Sequence, residues 1–196
     1  MNAVKRAVQV AMVAGLMVLG LGVVQKAEAA NPDTMNVLVQ PDVTYAVTIS
    51  SPFVQGYNFG LVGVAATTIS TVAIGVTNSG TIVEFFSLGV QDVTPTYAWT
   101  NNESSLNPGT TSYVMQGVLQ TTGGNQPPTA SFDGAANNIP SAPPAAADSR
   151  FGQGTGFAGK TAAGSSKDLW LRFHMPTVVH ESGVHTLILS VNGQNL

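Results

Sequence analysis

Apolar residues alternate with small or polar ones in two clear segments of the chain. Thr44–Ser50 sets Tyr45, Val47 and Ile49 against Thr44, Ala46 and Thr48. Thr71–Asn78 sets Val72, Ile74 and Val76 against Thr71, Ala73, Gly75 and Thr77. A period of two puts alternate side chains on opposite faces of a strand and predicts half-buried β-structure. Met35–Gln40, Tyr57–Leu61, Ile82–Val90, Tyr97–Thr100, Ser112–Leu119, Leu169–Met175 and Val184–Asn192 are further strand candidates. In Leu169–Met175 the residues Leu169, Leu171, Phe173 and Met175 share one face, leaving Trp170, Arg172 and His174 on the other. Leu187, Leu189 and Val191 share a face in the last candidate. After the first thirty residues no segment sustains the three-and-four apolar spacing of a capped helix. Eight or nine short strands separated by turn residues predict an all-β, antiparallel sandwich.

The first segment differs from all of these. Lys5 and Arg6 precede an almost wholly apolar run, Val8–Val24, which leads to Ala27-Glu28-Ala29. A basic start, an apolar core and a small-x-small site predict a signal peptide over residues 1–29, cleaved before Ala30. The alternative is a retained membrane anchor, because about 18 apolar residues can span a bilayer. No second apolar run of that length follows, so no transmembrane segment is expected in the mature chain. The expected location is therefore secreted, at the cell surface or in a periplasm.

The segment Thr71–Val90 reads Thr-Val-Ala-Ile-Gly-Val-Thr-Asn-Ser-Gly and then Thr-Ile-Val-Glu-Phe-Phe-Ser-Leu-Gly-Val. It resembles the strand–Asn-x-Gly–strand hairpin of Ig-like sandwiches in bacterial surface and secreted proteins. The resemblance implies an Ig-like or jelly-roll-like sandwich and supplies no activity. In such a hairpin Asn78 and Gly80 would take the left-handed conformations of a tight turn. The ending Leu169-Trp170-Leu171-Arg172-Phe173-His174-Met175-Pro176, followed by a turn and a last strand, is similar to uncharacterised secreted bacterial proteins.

Residues 121–166 are of another kind, since 28 of these 46 positions are Gly, Pro, Ala or Ser. Pro127-Pro128 and Pro143-Pro144 favour extended, unpaired backbone. About 30 residues follow, enough for two strands and too few for an independent core. Residues 30–196 are therefore expected to form a single sandwich domain with a long loop excursion, not two domains joined by a linker. Phe132, Phe151 and Phe157 are candidates to pin that excursion to the sandwich or to a neighbouring molecule, and Trp170 either packs beneath it or stays partly exposed.

Composition narrows the chemistry. The 196 residues are 44% hydrophobic and only 9% charged, with no cysteine. Without cysteine there is no disulfide scaffold, thiol nucleophile or thiolate-bound metal. Past residue 29 the cations are Arg150, Lys160, Lys167 and Arg172, too few to meet a phosphate lattice, so no nucleic-acid partner is expected. Gly154–Thr161 satisfies G-x-x-x-x-G-K-T, the phosphate-binding loop. That loop requires a buried strand before it and a helix after it. Here Pro143-Pro144 and an alanine run precede it and Ala162-Ala163-Gly164-Ser165-Ser166 follows, so a glycine-rich surface loop is expected.

His174, His180 and His185 have only Asp168 and Glu181 as nearby carboxylates in the sequence, a thin donor set for zinc or copper. A turn over 177–183 would bring His174 and His185 near each other. No G-x-S-x-G elbow occurs, and the nine acids past residue 29 show no paired spacing. Neither catalytic residues nor a cofactor or metal is expected. Tyr97 and Trp99 sit at i and i+2, so a strand would set both rings on one face as a candidate sugar-stacking site, with Asn101, Asn102 and Glu103 beside it; core packing is the plainer use of such rings.

Strands without charge invite a neighbouring strand to pair with them. Met35–Gln40, Thr44–Ser50 and Thr71–Asn78 contain no charged side chain. The favoured expectation is a structural subunit of a surface layer, filament or matrix that self-associates, or joins another surface protein, through strand edges. The alternative is a secreted recognition module for a glycan or a protein; a secreted hydrolase is a weaker third.

Overall fold

The computed structural model describes residues 38–50, 56–94, 96–143, 150–151, 160–180 and 183–194. Residues Pro41–Leu196 form one compact unit and Met1–Gln40 another. The expected signal peptide lies outside the described residues, as do Met35–Val37, Gly154–Gly159 and Phe157.

The larger unit is a β-sandwich. Nine strands occur among the described residues: β1 (Val47–Ile49), β2 (Thr67–Ile69), β3 (Ile74–Asn78), β4 (Glu84–Asp92), β5 (Thr100–Asn101), β6 (Ser112–Thr121), β7 (Lys160–Thr161), β8 (Ser166–His174) and β9 (Leu187–Gln194). The larger sheet runs β1-β3-β8-β6-β5, and β2 also pairs with β8; the smaller runs β7-β4-β9. Every pairing is antiparallel except β5 with β6.

β8 anchors the larger sheet. One edge pairs with β6 from Lys167 to His174. The other is shared: β3 takes Ser166–Leu169 and β2 takes Arg172–His174. Ser70 bridges the gap, its N–H donating to Leu171 O at 2.8 Å while its Oγ accepts from Leu171 N at 3.1 Å. The predicted division of faces holds. Leu169, Leu171 and Phe173 enter the main core with Leu88, Val90, Tyr113, Met115 and Leu119. Trp170 faces away and packs with Val118 and Phe132.

The Gly/Pro/Ala-rich excursion supplies that second cover. Thr129–Phe132 and Ala135–Asn137 form short 3₁₀ turns, and Phe132 is buried against Trp170. Phe151 is buried in the main core. The expected loop also contains regular structure: Thr121 ends β6, Lys160–Thr161 form β7 and Ser166 opens β8.

Several strand boundaries differ from the pattern reading. Tyr57–Leu61 is irregular; Tyr57 and Phe59 meet edge to face at 4.9 Å and Phe59 lies 5.7 Å from Phe173. Their alternation therefore reflects two aromatics pinned to the core, without a strand ladder. Leu38–Gln40 is not a strand. β2 was not expected, because Thr67-Thr68-Ile69 has no run of alternating apolar residues.

The Thr71–Val90 hairpin is corrected. β3 and β4 lie in different sheets, so the Asn78–Glu84 link is an arch between layers. Neither Asn78 nor Gly80 has a positive φ. Asn78 is buried and closes the arch with its side chain: Oδ1 accepts from Gly80 N at 2.9 Å, and Nδ2 donates to Ile82 O at 2.7 Å and Thr161 O at 2.9 Å. Gly80 serves close approach, since a Cβ there would collide with Glu84 Oε1 and Thr44 O.

Glu84 is fully buried at the start of β4. Its Oε1 accepts from Ala46 N at 2.7 Å, and among the described residues no hydrogen-bond partner meets Oε2. A Cβ on Gly193 would run into that Oε2. Gly193→Ala should therefore destabilise the chain by about 1–3 kcal/mol through overpacking, measured by denaturant unfolding. Leu88→Ala, which empties the centre of the core, should cost about 2–5 kcal/mol in the same assay.

Candidate functional site

The two long sides of the sandwich are treated differently. On one, residues 138–143 bridge the layers: Ile139 N donates to Met115 O at 2.8 Å and Val90 N donates to Pro140 O at 2.8 Å. Pro143 then packs so closely on Gly89 that no Cβ fits there. The exposed edge of β4 is thus covered by a proline-bearing segment, one of the ordinary ways to blunt a sheet edge.

On the other side stands β9. It pairs with β4 along its whole length, from Leu187 opposite Asp92 to Gln194 opposite Phe85. Among the described residues no strand pairs with its outer edge. The sequence Leu-Ile-Leu-Ser-Val-Asn-Gly-Gln holds no charge and no proline. Leu187, Leu189 and Val191 face the core yet are only partly buried, as are Val47 and Ile49 of β1. Ile188 on the opposite face is 53% exposed. In an antiparallel ladder about half the backbone groups of an edge strand point outward. β9 therefore joins two demands, outward N–H and C=O groups and a core seam that is incompletely covered. The other outer strands are short, with three residues each in β1 and β2 and two each in β5 and β7.

Tyr97 and Trp99 make different contacts. In this stretch only Thr100–Asn101 is strand, and Tyr97 has φ 56°, so the strand alternation that would set both rings on one face is absent here. Tyr97 is 63% exposed and lies 6.3 Å from His180. Trp99 is half-buried, stacked on His185 with centroids 3.4 Å apart and planes at 11°, and lies 6.3 Å from Phe173. Asp92 builds this corner. Its Oδ2 accepts from Trp99 N at 2.8 Å and His185 Nδ1 at 2.9 Å, and its Oδ1 accepts from Thr94 N at 2.9 Å. Burial pushes the Asp92 carboxyl up, but the hydrogen bonds from Thr94, Trp99 and His185 outweigh it and hold the group below the ordinary carboxylate range. Glu103 is also held low, by hydrogen bonds from Ser141. Asn101 instead donates to Ile139 O at 2.7 Å and Asn102 to Asn107 O at 3.1 Å.

His174 and His185 serve different faces. His185 belongs to the Trp99 corner, while His174 sits on the outer face of β8 with Arg172. Among the described residues, no three His, Asp or Glu side chains are grouped to hold a metal ion. Lys160 and Thr161 of the glycine-rich pattern form a strand opposite Phe85 and Glu84, where a phosphate loop would begin a helix.

The outer face of β8 carries a buried polar network that the sequence did not announce. Gln116 is its centre and is fully buried. Its Nε2 donates to Phe132 O at 2.9 Å and Asn138 Oδ1 at 2.8 Å. Its Oε1 accepts from Arg172 Nε at 2.7 Å and His174 Nε2 at 3.0 Å. Because that oxygen can only accept, His174 carries its hydrogen on Nε2, leaving Nδ1 to accept from Thr67 Oγ1 at 2.9 Å. Arg172 NH1 donates to Asp133 Oδ1 at 2.7 Å and Thr129 O at 3.0 Å, and its guanidinium lies over the Phe132 ring. Asn138 Nδ2 reaches Glu103 O and Ser105 O at 3.1 and 2.8 Å. The network clamps the excursion to the sheet. Alternation along β6 places Gln116 opposite Arg172, but only the position of the 3₁₀ turns shows both to be buried.

No protein-family model, curated protein or solved structure matches the chain. Among the described residues no helix is long and apolar enough to cross a membrane.

Burial and then the Arg172 charge hold His174 below the ordinary imidazole value, with Asp133 opposing. The unfolded chain then binds a proton more readily, so this contribution to stability is complete above the unfolded value of about 6.5 and is lost as the pH falls through the folded value. The denaturation midpoint should therefore decline below about pH 6.5. His174→Gln should flatten that decline while sparing the separate loss below about pH 4 that comes from Asp92 and Glu103.

Proposed function

We propose that the protein is an exported structural subunit that works by self-association through strand edges, without turnover or a cofactor. The observation that carries this reading is β9, an eight-residue uncharged strand whose outer edge has no strand beside it among the described residues. Soluble monomers guard such an edge with Lys, Pro, an inward charge or a bulge. Here proline guards the opposite side of the sandwich and β9 has none of these devices. The low charge of the chain removes the usual electrostatic brake on association. The basic-apolar-small opening supports export, and the sandwich scaffold suits a surface layer, filament or matrix.

The experiment is light scattering coupled to size-exclusion chromatography on the exported protein over rising concentration, with electron microscopy of the same samples. Growing assemblies with ordered polymers are expected. A strict monomer at high concentration, with no polymer in the images, would overturn the reading.

A further inference from the structure

We infer that the outer edge of β9 receives the leading segment Thr34–Gln40 of a second copy of this chain, which adds as an antiparallel strand. This rests on the self-association reading and names both surfaces of the contact.

The acceptor is defined by length, chemistry and cover. Eight residues of β9 give an edge of about 27 Å, and seven residues from Thr34 to Gln40 reach about 23 Å when extended. Neither segment holds a charge. Beneath the edge, Leu187, Leu189 and Val191 are only partly covered, and Val47 and Ile49 share that condition across the seam. A strand laid beside β9 would continue the smaller sheet, satisfy its outward backbone groups and place alternate side chains over this seam.

The donor has the matching pattern. Met35, Val37 and Val39 alternate with Asn36, Leu38 and Gln40. Asp33 precedes the segment and Pro41-Asp42 follows it, so pairing is delimited at both ends. Leu38 and Val39 are 94% and 82% exposed, large apolar side chains that a soluble monomer gains nothing by baring.

Direction favours a second copy over the segment's own chain. Thr44 and Ala46 accept through their carbonyls from Thr81 N at 3.0 Å and Ser79 N at 2.9 Å, and Ala46 N donates to Glu84. The chain therefore enters β1 beside the start of β4. β9 finishes at that same end, with Gly193 against Glu84 and Val47. A segment leading into β1 could lie along its own β9 only with both running the same way. Parallel pairing is slightly weaker per residue. A second copy has no such tether and can pair antiparallel.

The absence of cysteine makes the test clean. Full chains carrying Asn36→Cys, Val37→Cys or Leu38→Cys are mixed pairwise with full chains carrying Ile188→Cys, Ser190→Cys or Asn192→Cys, under mild oxidation. Heterodimeric disulfides are expected in some of these mixtures, because facing strand residues come within bridging distance, and none is expected with Leu61→Cys as partner. A chain carrying both Leu38→Cys and Ser190→Cys should form oligomers. A bridge confined within that single chain would overturn the inference in favour of the segment's own strand. Self-association of the parent protein with no bridge in any mixture would also overturn it, yet leave strand-edge assembly standing. A parent protein that never associates would remove both. As a second readout, Val37→Lys should abolish association while the circular dichroism spectrum and unfolding midpoint stay unchanged.

Discussion

A single strand that is dry on both faces sets the terms for this fold. β8 sends Leu169, Leu171 and Phe173 into the main core and Trp170 and Arg172 to the opposite side, and all five are buried. A two-layer sandwich covers only one face of a central strand. The second face needs its own cover, and the excursion after β6 provides it. Because that face includes a guanidinium, apolar packing alone would be costly: a buried cation must be matched by acceptors. Gln116, Asp133 and the Thr129 carbonyl supply them. The excursion is therefore structural for much of its length, despite a composition that suggests a dispensable loop.

The same excursion makes the sandwich lopsided. After crossing β8 it passes down one long side, where Ile139 and Pro140 tie the two layers together. On the β9 side the layers are tied at the Glu84 end, where Ala46 N donates to Glu84 Oε1 at 2.7 Å, and no segment like 138–143 runs along β9 among the described residues. Covering one seam and leaving its counterpart thinly covered is a poor arrangement for a solitary molecule. It suits a subunit in which a neighbour completes the second seam. The proposed role draws on that asymmetry rather than on any catalytic group.

Much of this architecture could be read from alternation alone. Thr71–Asn78, Ser112–Leu119, Leu169–Met175 and Val184–Asn192 all overlap strands of the structure, because a period of two is what a half-buried ladder demands. Trp170 and Phe132 each had two readings in the sequence, and the structure takes the one in which they meet between sheet and excursion. The arch between β3 and β4 was not, since Asn-Ser-Gly reads as a hairpin turn until one sees that the following strand joins the other layer. Nor was β2 legible, because Thr67 and Thr68 gain their place by pairing with Phe173 and His174, not by burying a stripe. Tyr97 and Trp99 looked like a flat pair on the assumption of a strand; the positive φ at Tyr97 breaks that alternation, and Trp99 stacks on His185 instead. The open edge shows why such cases escape sequence reasoning: a strand's residues state that it pairs, while only topology states on how many sides.

The meeting of Ala46, Glu84 and Gly193 has one more consequence. The chain enters β1 and leaves β9 at the same pole of the sandwich, whereas Asp92, Trp99, His185 and the turn before β6 gather at the opposite one. Anything held at the Glu84 end of β4 would therefore leave the Asp92 corner, at that strand's other end, facing away from it.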